Sequence, residues 1–272
     1  SYTYYNHMTG MFKRIAESMG YSVDVDQIVH GGHRLGEYAD PNDNANTGDY
    51  DGSGKDVYAA LTGNKKYDYV FIQEYDAGAM TSTSNFDVAA TTLVQLIRQH
   101  GATPVLYETC GKHPDDYWVS KLGTTNFKMT WDIARANQQV ADKLNVAVSY
   151  AGRATYLVFQ DNQINNIDLY HTDLNHPSFA GSYLIALTHF ATVFGCDPTE
   201  VKYVPTPSDD IITSYDKTLS TVGQNITSEV ASTLKQAAKD AVFFTPQIPS
   251  SYEGIESGTE LGGTYVNVNH TY

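Results

Sequence analysis

Apolar residues recur at helical spacing over Asn6–Met19, where Met8, Met11, Phe12, Ile15, Ala16 and Met19 share one face before Gly20 ends the run. The period then changes. Val23, Val25 and Ile28–Val29 predict a strand over Tyr21–Val29, leading into Gly31–Gly32. Tyr67–Gln73 is nearly continuous in apolar residues, as expected of a parallel strand covered on both faces. Helices are predicted over Phe86–His100 and Phe127–Leu144, each followed by a short strand, Thr103–Tyr107 and Val146–Ser149. Pro177 opens a further helix that runs to Phe194 and stops at Gly195. Strands alternating with helices of this length imply crossover units, hence an α/β fold with a parallel sheet between helices.

Past Pro198 the alternation ceases. Gln224–Phe243 carries Ile226, Val230, Leu234, Ala237 and Ala241 on one stripe, and Thr245–Tyr272 is rich in Gly and Ser, with an edge strand conceivable at Thr264–Val268. The chain divides into a core over residues 1–200 and a C-terminal helix and tail over 201–272 that pack on it. Two long polar connections, Asp40–Asp56 and Thr109–Thr125, have the size of functional loops.

The 272 residues suffice for one large domain with a substantial core. No apolar run reaches the ~18 residues of a membrane span, and no cationic, apolar-cored leader opens the sequence. Seventeen basic residues against 31 acidic ones give a formal net charge of −14. A field of that sign repels phosphate backbones and anionic lipid, which argues against nucleic-acid and membrane-surface roles and favours neutral substrates such as sugars or esters. Cys110 and Cys196 are too few for a disulfide framework; they either form one bridge or remain thiols. Abundant Tyr, Asn, Thr and Ser beside little Lys points to an exported protein.

The most informative segment is Asp168–Gly181, DLYHTDLNHPSFAG. Asp173 stands three residues before His176, so its carboxylate is placed to hold the imidazole Nδ1 proton and leave Nε2 to take a proton from a nucleophile. The same residues admit a second chemistry: His171, Asp173 and His176, with His30 and His33, are all potential ligands of zinc or another divalent ion, although no H-E-x-x-H helix is present. No G-x-S-x-G elbow occurs. Ser1, directly before the first helix, is the candidate nucleophile, since nearby helix N–H groups stabilise developing negative charge. As a chain terminus its α-amine would itself act as a base. Asp49–Gly54 resembles half a calcium loop, but Ala60 stands where a bidentate acid is expected. Tyr38, Tyr50, Tyr75, Tyr117 and Trp118 are candidates for stacking on sugar rings.

Four blocks in order resemble one family. Ser1-Tyr-Thr-Tyr-Tyr-Asn6 is similar to the first block of SGNH-type (GDSL-like) hydrolases, in the branch reading G-N-S-[FY]-T; Val29–Leu35 (VHGGHRL) resembles the glycine block; Tyr69–Tyr75 (YVFIQEY) the third block; and Asp173-Leu-Asn-His176-Pro-Ser the D-x-x-H-P-[ST] block. The resemblance covers about Ser1 to Pro198. It implies a three-layer flavodoxin-like fold and a cofactor-free serine esterase, with Ser1 as nucleophile, His176 as general base and then acid, and Asp173 orienting it. The oxyanion hole would use the Ser1 backbone N–H, a backbone N–H of the glycine block (Gly32 ahead of Gly31) and the Gln73 amide. Gln73 stands where most of the superfamily has Asn. The strand and Gly-Asn pair that precede the family's serine have no counterpart in this sequence. The implied substrate is an ester, most plausibly an O-acetylated carbohydrate, and the implied location is secreted or periplasmic. The rivals are a metal-dependent hydrolase built on His171, Asp173 and His176, and a non-catalytic carbohydrate-binding module.

Overall fold

The computed structural model describes residues 2–3, 5–43, 57–81, 84–165, 167–213 and 219–251, with the backbone alone for 160–165. Its centre is a parallel sheet in the order β1 (Tyr69–Ile72), β2 (Thr103–Tyr107), β3 (Ala147–Ser149). Tyr69 pairs with Thr103 and Val105 with Ala147. The crossovers are α4 (Phe86–Gln99), which packs on β1 and β2, and α6 (Asn126–Leu144), which packs on β3 and α4. α1 (Met8–Ser18) and α10 (Ser228–Phe243) both pack on α8 (Phe179–Phe194), which in turn lies on β3. This is the expected α/β architecture, a parallel sheet flanked by helices.

α8 is the hub because its sequence is apolar all round. Phe179, Tyr183, Leu184, Ala186, Leu187 and Phe190 are all fully buried, and each large side chain among them stabilises the fold by about 1.5–3 kcal/mol relative to exposure. His189 shares this interior. Its Nδ1 lies 2.7 Å from Ser149 Oγ, and burial lowers its pKa to about 3, so it stays neutral. It is a core histidine. Shorter helices are α2 (Leu35–Ala39), α3 (Val57–Thr62), α5 (Tyr117–Lys121) and α9 (Asp210–Thr213).

Two expectations need correction, and one helix was not anticipated. Pro177 does not enter the α8 helix: Ser178 is its cap, with Oγ accepting from Gly181 N at 3.0 Å, and helical geometry starts at Phe179. α7 (Ala151–Asn165) was not signalled by periodicity, because it packs on α6, α8 and α10 and therefore has no single apolar stripe. Tyr21–Val29 forms no strand. Residues 22–30 line one side of a cavity of about 810 Å³ whose other side is β1, so the segment has no ladder partner there. Among the described residues β1 pairs only with β2. Thr264–Val268 lies outside the described residues, as do Asp49–Gly54 and Tyr50. Cys110 and Cys196 are both free thiols. Among the described residues no helix is long and apolar enough to cross a membrane.

Candidate active site

The loop from Tyr170 to Pro177 is closed by an isolated antiparallel bridge between those two residues. Inside it the His171 amide donates to His176 O at 2.8 Å, and Leu174 takes a left-handed φ of 62°. This tight turn folds Asp173 back on His176. Asp173 Oδ1 accepts from the amides of Asn175 (3.0 Å) and His176 (2.9 Å), while Oδ2 lies 2.8 Å from His176 Nδ1. A carboxylate only accepts, so Nδ1 carries the proton and Nε2 is the basic nitrogen. Burial alone would raise the Asp173 carboxyl; donation from the His176 ring and the two amides outweighs it and brings the pKa down to about 2. Burial lowers His176 below its ordinary value, with Asp173 opposing, so the ring is neutral and ready to accept a proton at neutral pH.

His171 Nδ1 is 3.6 Å from Asp173 Oδ2, so Asp173 lies between the two imidazoles. Among the described residues no group of three or more His, Cys, Asp or Glu is disposed to hold a metal ion. His30 and His33 contact each other, with ring centroids 3.7 Å apart, planes tilted by 58° and both Nδ1 atoms directed at Gly31 O.

Ser1 lies outside the described residues. The residues that follow it converge on His176. Tyr5 stacks on the His176 ring at 4.0 Å with planes 7° apart. The buried Tyr2 hydroxyl donates to Asn175 Oδ1 at 3.0 Å and approaches Asp76 Oδ1 at 3.4 Å. Thr3 Oγ1 donates to Gln73 Oε1 at 2.9 Å, which fixes the amide and leaves Nε2 with a long 3.4 Å contact to Glu74 O. Asn6, buried with φ 53°, donates through Nδ2 to Pro177 O, Ser178 O and Ser182 Oγ. The turn at Gly32 has φ +80°, a conformation that favours glycine. Gly32 is not among the cavity-lining residues; His30 and His33 on either side of it are, together with Thr3, Gln73, Asn175 and His176.

Several of these contributors carried no sequence signal as site residues: Tyr2, Thr3, Tyr5, Asn6 and the Asp76–Lys112 ion pair (2.8 Å), whose lysine is buried. The first four lie in the block quoted for Ser1, so the block boundary was the only clue. Tyr38 and Tyr75 line the cavity, whereas Tyr117 and Trp118 lie exposed under the Lys121 ammonium.

Among solved structures the chain is similar to a protein from Slackia heliotrinireducens described as "a putative SGNH hydrolase". The identity is 29% and the TM-score 0.57, over 71% of this chain and 94% of that one. The fold is that of the SGNH hydrolases. The chain is also similar in fold to a DUF4886 family protein from Bacteroides uniformis, with a TM-score of 0.67 at 16% identity, over 88% of this chain and 90% of that one. No family model matches the chain, and no curated protein matches it significantly. The first likeness supports a hydrolase of the SGNH superfamily.

Proposed function

We propose that this SGNH-fold chain is a serine esterase that removes O-acetyl groups from a carbohydrate outside the cytoplasm. Ser1 attacks the ester carbonyl. His176 Nε2 takes the hydroxyl proton and returns it to the departing alcohol; Asp173 holds the imidazole in the right tautomer and stabilises the imidazolium. The oxyanion is met by the Ser1 and Gly32 amides and by Gln73 Nε2. Water then enters and attacks the acyl carbonyl as His176 deprotonates it; the bond to Ser1 Oγ breaks, His176 returns the proton to that oxygen, and the acid leaves.

The observation that carries this reading is the 2.8 Å Asp173–His176 pair, whose imidazole lines the cavity, with Tyr2 and Tyr5 against that ring and Thr3 on Gln73. Those contacts bring the stretch directly after Ser1 to the imidazole and to Gln73. The net charge of −14 favours a neutral substrate, and the tyrosines lining the cavity suit a sugar ring.

The test is hydrolysis of p-nitrophenyl acetate by the protein and by its Ser1→Ala and His176→Ala variants, together with fluorophosphonate labelling. Loss of turnover in both variants and labelling at Ser1 are expected. Full turnover in either variant, or loss of activity on chelation, overturns the triad. Release of acetate from O-acetylated xylan fragments, with no fatty acid released from long-chain p-nitrophenyl esters, tests the substrate class.

A further inference from the structure

Glu74 is a buried carboxylate one residue beyond Gln73. Its Oε1 accepts two backbone amides, its own neighbour Tyr75 N at 2.6 Å and Leu35 N at 3.3 Å. Leu35 is the first residue of α2, three positions after Gly32. One oxygen therefore clasps the chain beside Gln73 and the chain just past the glycine turn. The neighbouring Gly78 leaves room for this: a Cβ there would come within 3.0 Å of both Glu74 Cγ and Oε1. The other oxygen, Oε2, is buried and has no hydrogen-bond partner among the described residues. Burial pushes the carboxyl up to about 7 against the pull of the two amides and of Arg34. Holding an acid in such surroundings costs stability, which makes it a poor choice for mere packing.

We infer that Glu74 is a positioning residue that sets the distance between the two oxyanion donors, the Gln73 amide and the Gly32 N–H. The lever arms are short: one residue on the first side and three on the second. Loss of the clasp lets the two donors drift relative to each other, and a displacement of about 1 Å costs on the order of 100-fold in rate. The inference rests on the esterase reading above.

The experiment measures kcat and KM for p-nitrophenyl acetate, with a thermal melt and fluorophosphonate labelling, on the parent protein and on Glu74→Ala, Glu74→Gln and Gly78→Ala. A Gln side chain keeps an oxygen for both amides, so Glu74→Gln is expected to retain most of kcat. Glu74→Ala should lose on the order of 100-fold in kcat with KM little changed. Gly78→Ala, which presses on the carboxylate without removing it, should fall between them with a normal melt. The inference is overturned if Glu74→Ala matches the parent, if Glu74→Gln is as poor as Glu74→Ala, or if kcat falls only in step with the folded fraction. A parent protein that neither turns over the ester nor is labelled overturns the esterase reading itself, and this inference with it.

Discussion

β1 and β2 lie side by side, and each delivers a buried glutamate just beyond its carboxyl end: Glu74 after β1 and Glu108 after β2. Glu108 is fully partnered. Its Oε1 accepts from Arg153 N at 3.1 Å and its Oε2 from Arg153 Nε at 3.2 Å. The guanidinium also donates to Pro246 O at 3.1 Å and lies 4.4 Å over the Tyr150 ring. Burial raises the Glu108 carboxyl while Arg153 opposes it. Glu74 accepts hydrogen bonds from backbone amides alone, Arg34 acting on it only through its charge, and keeps an orphan oxygen. The same sheet position thus serves two ends. Where a cation closes the carboxylate, the strand end is an anchor for α7 and for the chain after α10; where none does, its neighbours Gln73 and Tyr75 line the cavity together with Asn175 and His176.

This contrast is sharpest if damage at one end costs turnover and damage at the other costs stability. On the cavity side, Asp173→Asn should lower kcat by about 10⁴-fold, because the imidazole loses its tautomer, with little change in melting temperature. A smaller loss than about 10²-fold would mean that Asp173 acts by capping its own turn alone. On the anchor side, Glu108→Ala or Arg153→Leu should cost about 3–5 kcal/mol in denaturant unfolding, since each leaves an uncompensated buried charge. The kcat per folded molecule should hold. If it does not, the two strand ends are not separable. Gln73→Ala comes next: a loss of about 10²–10³-fold in kcat is expected for one oxyanion donor, with stability changed by less than about 1 kcal/mol. The smallest effect is on pH. In the proposed mechanism His176 must be neutral, and burial lowers its pKa from 6.5, so kcat/KM should rise with pH through an acidic limb and be flat by neutrality. Asp173→Asn removes the group that raises that pKa, so the limb should move to lower pH in the residual activity.

The long elements were legible because their apolar stripes were regular: β2 matches its expected bounds, and α1, α4 and α6 fall within one or two residues of theirs. α7 was not, since a helix touched on several sides loses its stripe. The strand expected over Tyr21–Val29 failed for a different reason, as alternation announces a pleat but cannot supply a neighbour to bond with. Of the site, Asp173 and His176 were legible because their whole interaction is local, three residues apart. Tyr5 over His176 and Thr3 on Gln73 were not, because stacking and amide orientation depend on segments about 170 and 70 residues away in sequence. No local pattern announces them.

The hydrogen bonds of Asn6 have a consequence for the last quarter of the chain. The side chain that grips Pro177, Ser178 and Ser182 with its nitrogen also receives Ser220 N at 2.6 Å on its oxygen. A single amide therefore knots together the opening turn, the end of the Tyr170–Pro177 loop and a stretch far downstream, with both its nitrogen and its oxygen engaged. Residues near 220 have no part in the proposed reaction, yet they hold one strand of the knot. Loosening them would unsettle the imidazole from behind, without altering any atom that faces the substrate.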